Sequence, residues 1–161
     1  MAGPHTLAET ERQVQARVGD LPLDFEAMAV CSNLFRAANA VRNHLERSVL
    51  APADLTWTAF VVLWITWIWD RVETRVIAAE GGFSKATLSG VLTTLESRGL
   101  AERTRSEIDG RLVDVTLTPK GRKLMRSLFP KFNAEERAIT RHLEDLSDAA
   151  AVLRALTLAT E

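Results

Sequence analysis

Residues 82–115 read GFSKATLSGVLTTLESRGLAERTRSEIDGRLVDV, and the punctuation inside this stretch decides the fold. Ser84 is an oxygen-bearing N-cap, and Leu88, Val91, Leu92 and Leu95 then recur at threes and fours, so a helix starts after Ser84. Gly99 stops it. Beyond Gly99 the period changes from about 3.6 to 2: LAERTRS (100–106) and RLVDVTL (111–117) alternate as strands, with Asp109-Gly110 between them as a hairpin-turn pair. A helix presented by a Gly-rich turn and followed by a charged hairpin is the outline of a winged helix-turn-helix.

The flanks supply the rest of such a fold. Upstream, Gly81-Gly82 closes a short helix predicted at 74–80, and Thr56 caps another in which Trp57, Phe60, Val61, Trp64 and Ile68 share a face. From Asp24 to Pro52, Phe25, Met28, Cys31, Phe35, Ala38, Val41, Leu45 and Val49 mark a long amphipathic helix. Downstream, Thr118-Pro119 opens a helix that should bend at Pro130, and Leu146, Ala150, Leu153 and Leu156 line a last one. The expected fold is mainly α with a small β-hairpin wing. Residues 51–118 form the winged helix-turn-helix, 24–50 and 119–161 form dimerisation helices, and 1–23 form an N-terminal extension with a possible helix at 7–18.

Composition agrees with one folded unit of this size: of 161 residues, 47% are hydrophobic and 25% charged, close to the soluble globular average. The longest apolar run, LTWTAFVVLWITWIW (55–69), is fifteen residues with three threonines. A membrane span needs about 20, so a buried helix is expected and no membrane partner. The N-terminus has neither a basic start nor an apolar segment, which points to the cytoplasm. One cysteine excludes a disulfide framework and a multi-cysteine zinc site. No cofactor or metal is indicated. The scattered histidines, His5, His44 and His142, and the lack of a phosphate-binding glycine loop or spaced carboxylate pair argue against an enzyme.

Net charge is −1, but residues 83–126 hold nine Lys and Arg against five acids, or +4. That asymmetry suits a polyanion. On the helix after Ser84 the face opposite the apolar stripe carries Ala86, Ser89, Gly90, Thr93, Thr94 and Ser97. These side chains are small, as close approach to base edges in a major groove requires. Ser84, Lys85 and Thr87 occupy the helix start, where free backbone N–H groups favour phosphate. Arg103, Arg105 and Arg111 cluster on the hairpin with Asp109, and a guanidinium there suits the narrow minor groove.

Four blocks in this order, LTWTAF from Leu55, SKATLSGVLTTLESRGL from Ser84, DGR at 109–111 and VTLTPKGR from Val115, resemble the multiple-antibiotic-resistance-regulator (MarR) family over roughly residues 25–158. The resemblance implies a homodimer, usually a repressor, on a pseudopalindromic duplex operator, often released by a small aromatic or lipophilic ligand or by oxidation. It implies that the helix from Ser84 enters the major groove and Arg111 the minor groove, with Asp109 beside it. Two positions depart from the pattern: Gly110 stands where a second arginine is frequent, and Gly90 removes a side chain from the groove face. Candidate effector residues are the aromatic group Trp57, Trp64, Trp67 and Phe35, for which packed core is the favoured role, and Arg42, which could clamp a carboxylate or pair with Glu46. Cys31 is a redox candidate without any tyrosine to assist it, and its place in the apolar stripe suits a buried structural thiol. The remaining alternative is a winged-helix module that binds protein instead of DNA.

Overall fold

The computed structural model describes residues 5–105 and 112–160. The chain divides into two compact units, one ending at Arg42 and the other starting at Asn43. In the first unit α1 (Leu7–Val18) opens with a capping box: the Thr6 hydroxyl accepts from the Glu9 N–H, and the Glu9 carboxylate accepts from the Thr6 N–H. α2 (Phe25–Leu45) starts where Asp24 accepts from the Ala27 N–H at 2.9 Å. Asn33 Nδ2 donates to Glu11 Oε1 at 3.1 Å, tying the two helices.

The expected single helix up to Pro52 is subdivided. After Leu45 the backbone widens into a π-turn at Glu46–Leu50 and then tightens into a 3-10 turn at Ala51–Ala53. Pro52 explains the change, because its ring would clash with the carbonyl one α-turn earlier and a wider turn removes that clash. The released Glu46 carboxylate accepts from the Trp57 N–H at 2.9 Å.

The second unit then runs α3 (Trp57–Trp69), β1 (Arg71–Glu73), α4 (Thr74–Gly81), α5 (Lys85–Ser97), β2 (Ala101–Arg105), β3 (Val113–Leu117), α6 (Pro119–Thr140) and α7 (Leu146–Leu158). Its caps are those the sequence indicates. Thr56, Ser84 and Thr118 each accept from a backbone N–H three residues on. Both helices of the helix-turn-helix end on a left-handed glycine, Gly82 and Gly99. After each, the next N–H reaches back to close the turn: Phe83 to the Ala78 carbonyl at 2.8 Å and Leu100 to the Leu95 carbonyl at 2.9 Å.

The antiparallel sheet has the order β1-β3-β2. Arg103 pairs with Val115 on one side and Val72 with Val115 on the other. β1 is absent from the sequence reading, because three residues are too few to show alternation. β2 and β3 are shorter than their predicted spans at 100–106 and 111–117, and the expected tip at 109–111 lies outside the described residues.

The core is built of Leu50, Leu63, Ile77, Leu92, Leu95, Val115, Leu117 and Met125, all fully buried. α3 departs from its predicted facing. Its deeply buried side is Ala59, Val62, Leu63 and Thr66, the last satisfied by the Val62 carbonyl at 2.8 Å, whereas Ile68 is exposed. Its aromatic side stacks on α6, Phe60 on Phe132 at 4.4 Å and Trp64 on Phe129 at 4.5 Å. α6 continues helically through Pro130. Among the described residues, no single helix is long and apolar enough to cross a membrane.

Candidate nucleic-acid interface

α4, the turn Gly82-Phe83-Ser84 and α5 form a helix-turn-helix, and the β2–β3 pair lies beside it. Leu88, Leu92 and Leu95 fix α5 to the core. That leaves Ser84, Lys85, Ala86, Thr87, Ser89, Gly90, Thr93 and Thr94 exposed on the outer side. The hydroxyls there are already oriented by the helix itself. Thr87 and Ser84 share a hydrogen bond of 2.8 Å, Thr93 donates to the Ser89 carbonyl at 3.0 Å and Thr94 to the Gly90 carbonyl at 3.1 Å. Apart from Lys85 in its first turn, the face is polar and uncharged, and Thr93 Oγ1 also accepts from Arg103 Nη2 at 3.3 Å.

Gly90 has no role in the packing of this chain, since a Cβ built there meets nothing within 4 Å. A mid-helix glycine costs about 0.5–1 kcal/mol relative to alanine.

Between α4, α5 and the β2–β3 pair a cleft of about 770 Å³ opens, lined by Arg75, Lys85, Ser89, Arg103, Thr104 and Arg105 among others. Of its four cations, Arg75 is paired with Glu73 and Arg103 with Glu96. Lys85 and Arg105 are exposed. Arg103 behaves differently from the sequence expectation of an outward arginine. Its Nε donates to Glu96 Oε2 at 3.0 Å, its own N–H donates to Glu96 Oε1 at 3.0 Å, and Nη2 reaches Thr93 Oγ1 at 3.3 Å. The guanidinium holds the Glu96 carboxyl below the usual carboxylate range, and the carboxylate raises Arg103 in turn. A depressed carboxyl contributes stability above its unfolded pKa and loses it as pH falls through the folded one. The pair is therefore fully charged at neutral pH.

Glu96 is the residue that sequence reasoning overlooked. One signal was available: an acid in the last turn of a helix opposes the helix dipole, so it needs a partner elsewhere. Asp109 and Arg111, expected at the wing tip, lie outside the described residues.

The candidate effector residues fall in both units. Phe35 and Arg42 belong to the first unit, where Phe35 is 69% exposed and the exposed Arg42 donates to Asn39 Oδ1 at 3.0 Å. Arg42 does not pair with Glu46, whose carboxylate is taken by the Trp57 N–H. Cys31 is exposed rather than packed: α1 lies along Phe25, Met28, Ala29, Ser32, Asn33 and Arg36 of α2, a side that does not include Cys31. In the second unit Trp57, Trp64 and Trp67 are half-buried, and their ring partners come from α3 itself and from α6 as Phe129 and Phe132. Phe129 and Phe132 sit three residues apart on α6, and so share one face.

Comparison with known proteins agrees with this geometry. Residues 55–113 match the model of the MarR family. The uncharacterized HTH-type transcriptional regulator YwaE of Bacillus subtilis strain 168 is 35% identical over 133 residues, spanning 81% of this chain and 78% of that protein. Among solved structures, AbsC, a MarR family transcriptional regulator from Streptomyces coelicolor, superposes with a TM-score of 0.74 at 26% identity, covering 86% of this chain and 93% of its own. The M. tuberculosis transcriptional regulator MOSR, solved in complex with DNA, gives 0.67 at 25% identity, covering 81% and 94%.

Proposed function

The chain belongs to the MarR family of DNA-binding transcriptional regulators, and from that premise we propose that it acts as a homodimeric repressor on a pseudopalindromic operator. The observation that carries the proposal is the small side chains of the exposed α5 face, Ala86, Ser89, Gly90, Thr93 and Thr94, beside a cleft lined by the exposed cations Lys85 and Arg105. α5 enters the major groove through Ala86, Ser89, Gly90, Thr93 and Thr94, with Ser84, Lys85, Thr87 and Arg105 at the flanking phosphates. Arg111, beside Asp109, enters the minor groove. Residues 51–118 act as the reading head, and 24–50 with 119–161 as the dimerisation layer behind an extension at 1–23. The release signal is a small aromatic or lipophilic molecule bound at the half-buried tryptophans, Trp57, Trp64 and Trp67.

Titrating the protein on duplex DNA at increasing salt tests the reading. Each neutralised phosphate contributes about −0.9 to the slope of log affinity against log salt, so a steep slope is expected. Arg111→Ala should weaken binding by at least tenfold, a modest value for one desolvated arginine. A flat salt response, as a protein-binding module would give, overturns the proposal.

Gly90→Ala separates folding from binding at one atom. With open space around the new methyl group, thermal stability should rise by about 0.5–1 kcal/mol, while DNA affinity falls. Unchanged affinity would remove Gly90 from the interface.

A further inference from the structure

Among the described residues, a polar tie joins β2 of the wing to α5, and both carboxylate oxygens take part in it. Glu96 lies in the last turn of α5 and Arg103 at the middle of β2. Both Glu96 oxygens are used, one by the Arg103 backbone N–H and the other by the guanidinium, which also touches Thr93 on the outer face of α5. Glu96 and Arg103 are each 30% exposed, so water competes less than it does at an open surface pair. A carboxylate that grips both the backbone and the side chain of one residue constrains the strand's position and its rotation. Bidentate geometry of this kind gives direction as well as energy.

We propose that Glu96 and Arg103 form a strut that fixes the angle between the wing and α5, which makes Arg103 a positioning residue rather than a phosphate contact. The inference rests on the DNA-binding assignment and adds a role to it. A dimer that reads one major groove with α5 and the next minor groove with its wing needs both at a set separation. The strut supplies that separation before DNA arrives, so no ordering cost falls on the binding step. Arg103 also passes the constraint to Thr93, which lies on the face presented outward.

The strut makes a prediction opposite to simple electrostatics. Deleting an acid near a polyanion should strengthen binding by reducing repulsion; with a strut, deleting Glu96 weakens it. The experiment uses the full chain and a labelled duplex selected by the wild-type protein from a random-sequence pool, with affinity measured across a salt series. Glu96→Ala and Arg103→Ala are each expected to bind about tenfold more weakly with the salt slope unchanged. The double variant should be no worse than either single one, because both remove the same interaction. Glu96→Gln, which keeps the shape and one acceptor oxygen, repeats the comparison in a minimally disturbed chain and should fall between.

Wild-type or tighter binding by Glu96→Ala overturns the proposal. So does a slope that Arg103→Ala lowers by about 0.9, the signature of a lost phosphate. Amide hydrogen exchange without DNA gives a separate reading. The Arg103 N–H should exchange faster in Glu96→Ala than in wild type, and equal protection would refute the tie itself. If the wild-type protein shows no salt-dependent binding while this amide still loses protection, the DNA assignment fails and the strut stands.

Discussion

Gly121→Ala is expected to destabilise the protein by about 1–3 kcal/mol, the usual cost of overpacking a tight site, which at this chain length lowers Tm by several degrees. Alanine would ordinarily favour a helix over glycine by up to about 1 kcal/mol, so the sign depends on tertiary contact. A Cβ at Gly121 would fall far inside contact distance of the Leu100 carbonyl oxygen and 3.0 Å from its carbonyl carbon. The backbone at Leu100 has no freedom to yield. Its N–H closes the end of α5 on the Leu95 carbonyl, and its carbonyl accepts from the Thr118 N–H at 3.1 Å. Two more bonds clamp the same place: Thr118 Oγ1 donates to the Gly99 carbonyl at 2.7 Å and Lys120 Nζ to the Arg98 carbonyl at 2.7 Å. Arg98 itself reaches the Ala53 and Asp54 carbonyls. Thermal or denaturant unfolding of Gly121→Ala beside Gly90→Ala provides the check, because the same substitution is crowded at one site and open at the other. A Tm for Gly121→Ala at or above wild type would show that α6 is not seated where the structure has it.

The second large effect concerns α7. Leu146, Val152, Leu153 and Leu158 are each more than half exposed, and no residue of α7 is buried. A terminal helix with a capped start, at Asp145, and an uncovered apolar face is unfavourable in water unless another surface covers it. In the proposed homodimer that surface is a second copy of the chain. The L146E/L153E double variant should therefore run as a folded monomer, since no core contact of the second unit is lost. Its operator affinity should fall by about 10²- to 10⁴-fold, the usual advantage of two linked sites over one. Light scattering, circular dichroism and operator titration on one sample distinguish the outcomes. A dimer that survives both glutamates, or a monomer with full operator affinity, would remove α7 from the dimerisation layer.

Much of the reading head was legible because its signals are local. Ser84 and Thr118 cap helices through bonds that span three residues, and Gly82 and Gly99 adopt left-handed φ at the helix ends where the residue order places them. The apolar spacing of Leu88, Leu92 and Leu95 selects the inner face of α5 and, by exclusion, the outer one. Charge clustering on β2 was equally plain, yet the purpose of Arg103 was not. Seven positions and a turn separate Arg103 from Glu96, so neither periodicity nor motif spacing reports that they meet. The surroundings of the candidate effector residues were less legible still. Aromatic side chains at helical spacing mark a contact face without naming its partner, and Trp64 and Phe60 found Phe129 and Phe132 of α6.

By itself, then, the sequence determined what is set within one turn of chain: where helices begin and stop, which face of α5 is outward, and where cations gather. Tertiary structure alone decided the crowding at Gly121, the pairing of the three-residue β1 with β3, the tie from Glu96 to Arg103 and the exposure of Cys31. Each of these depends on which distant segment arrives opposite a residue, and that is set by the packing of whole elements rather than by the preferences of their parts.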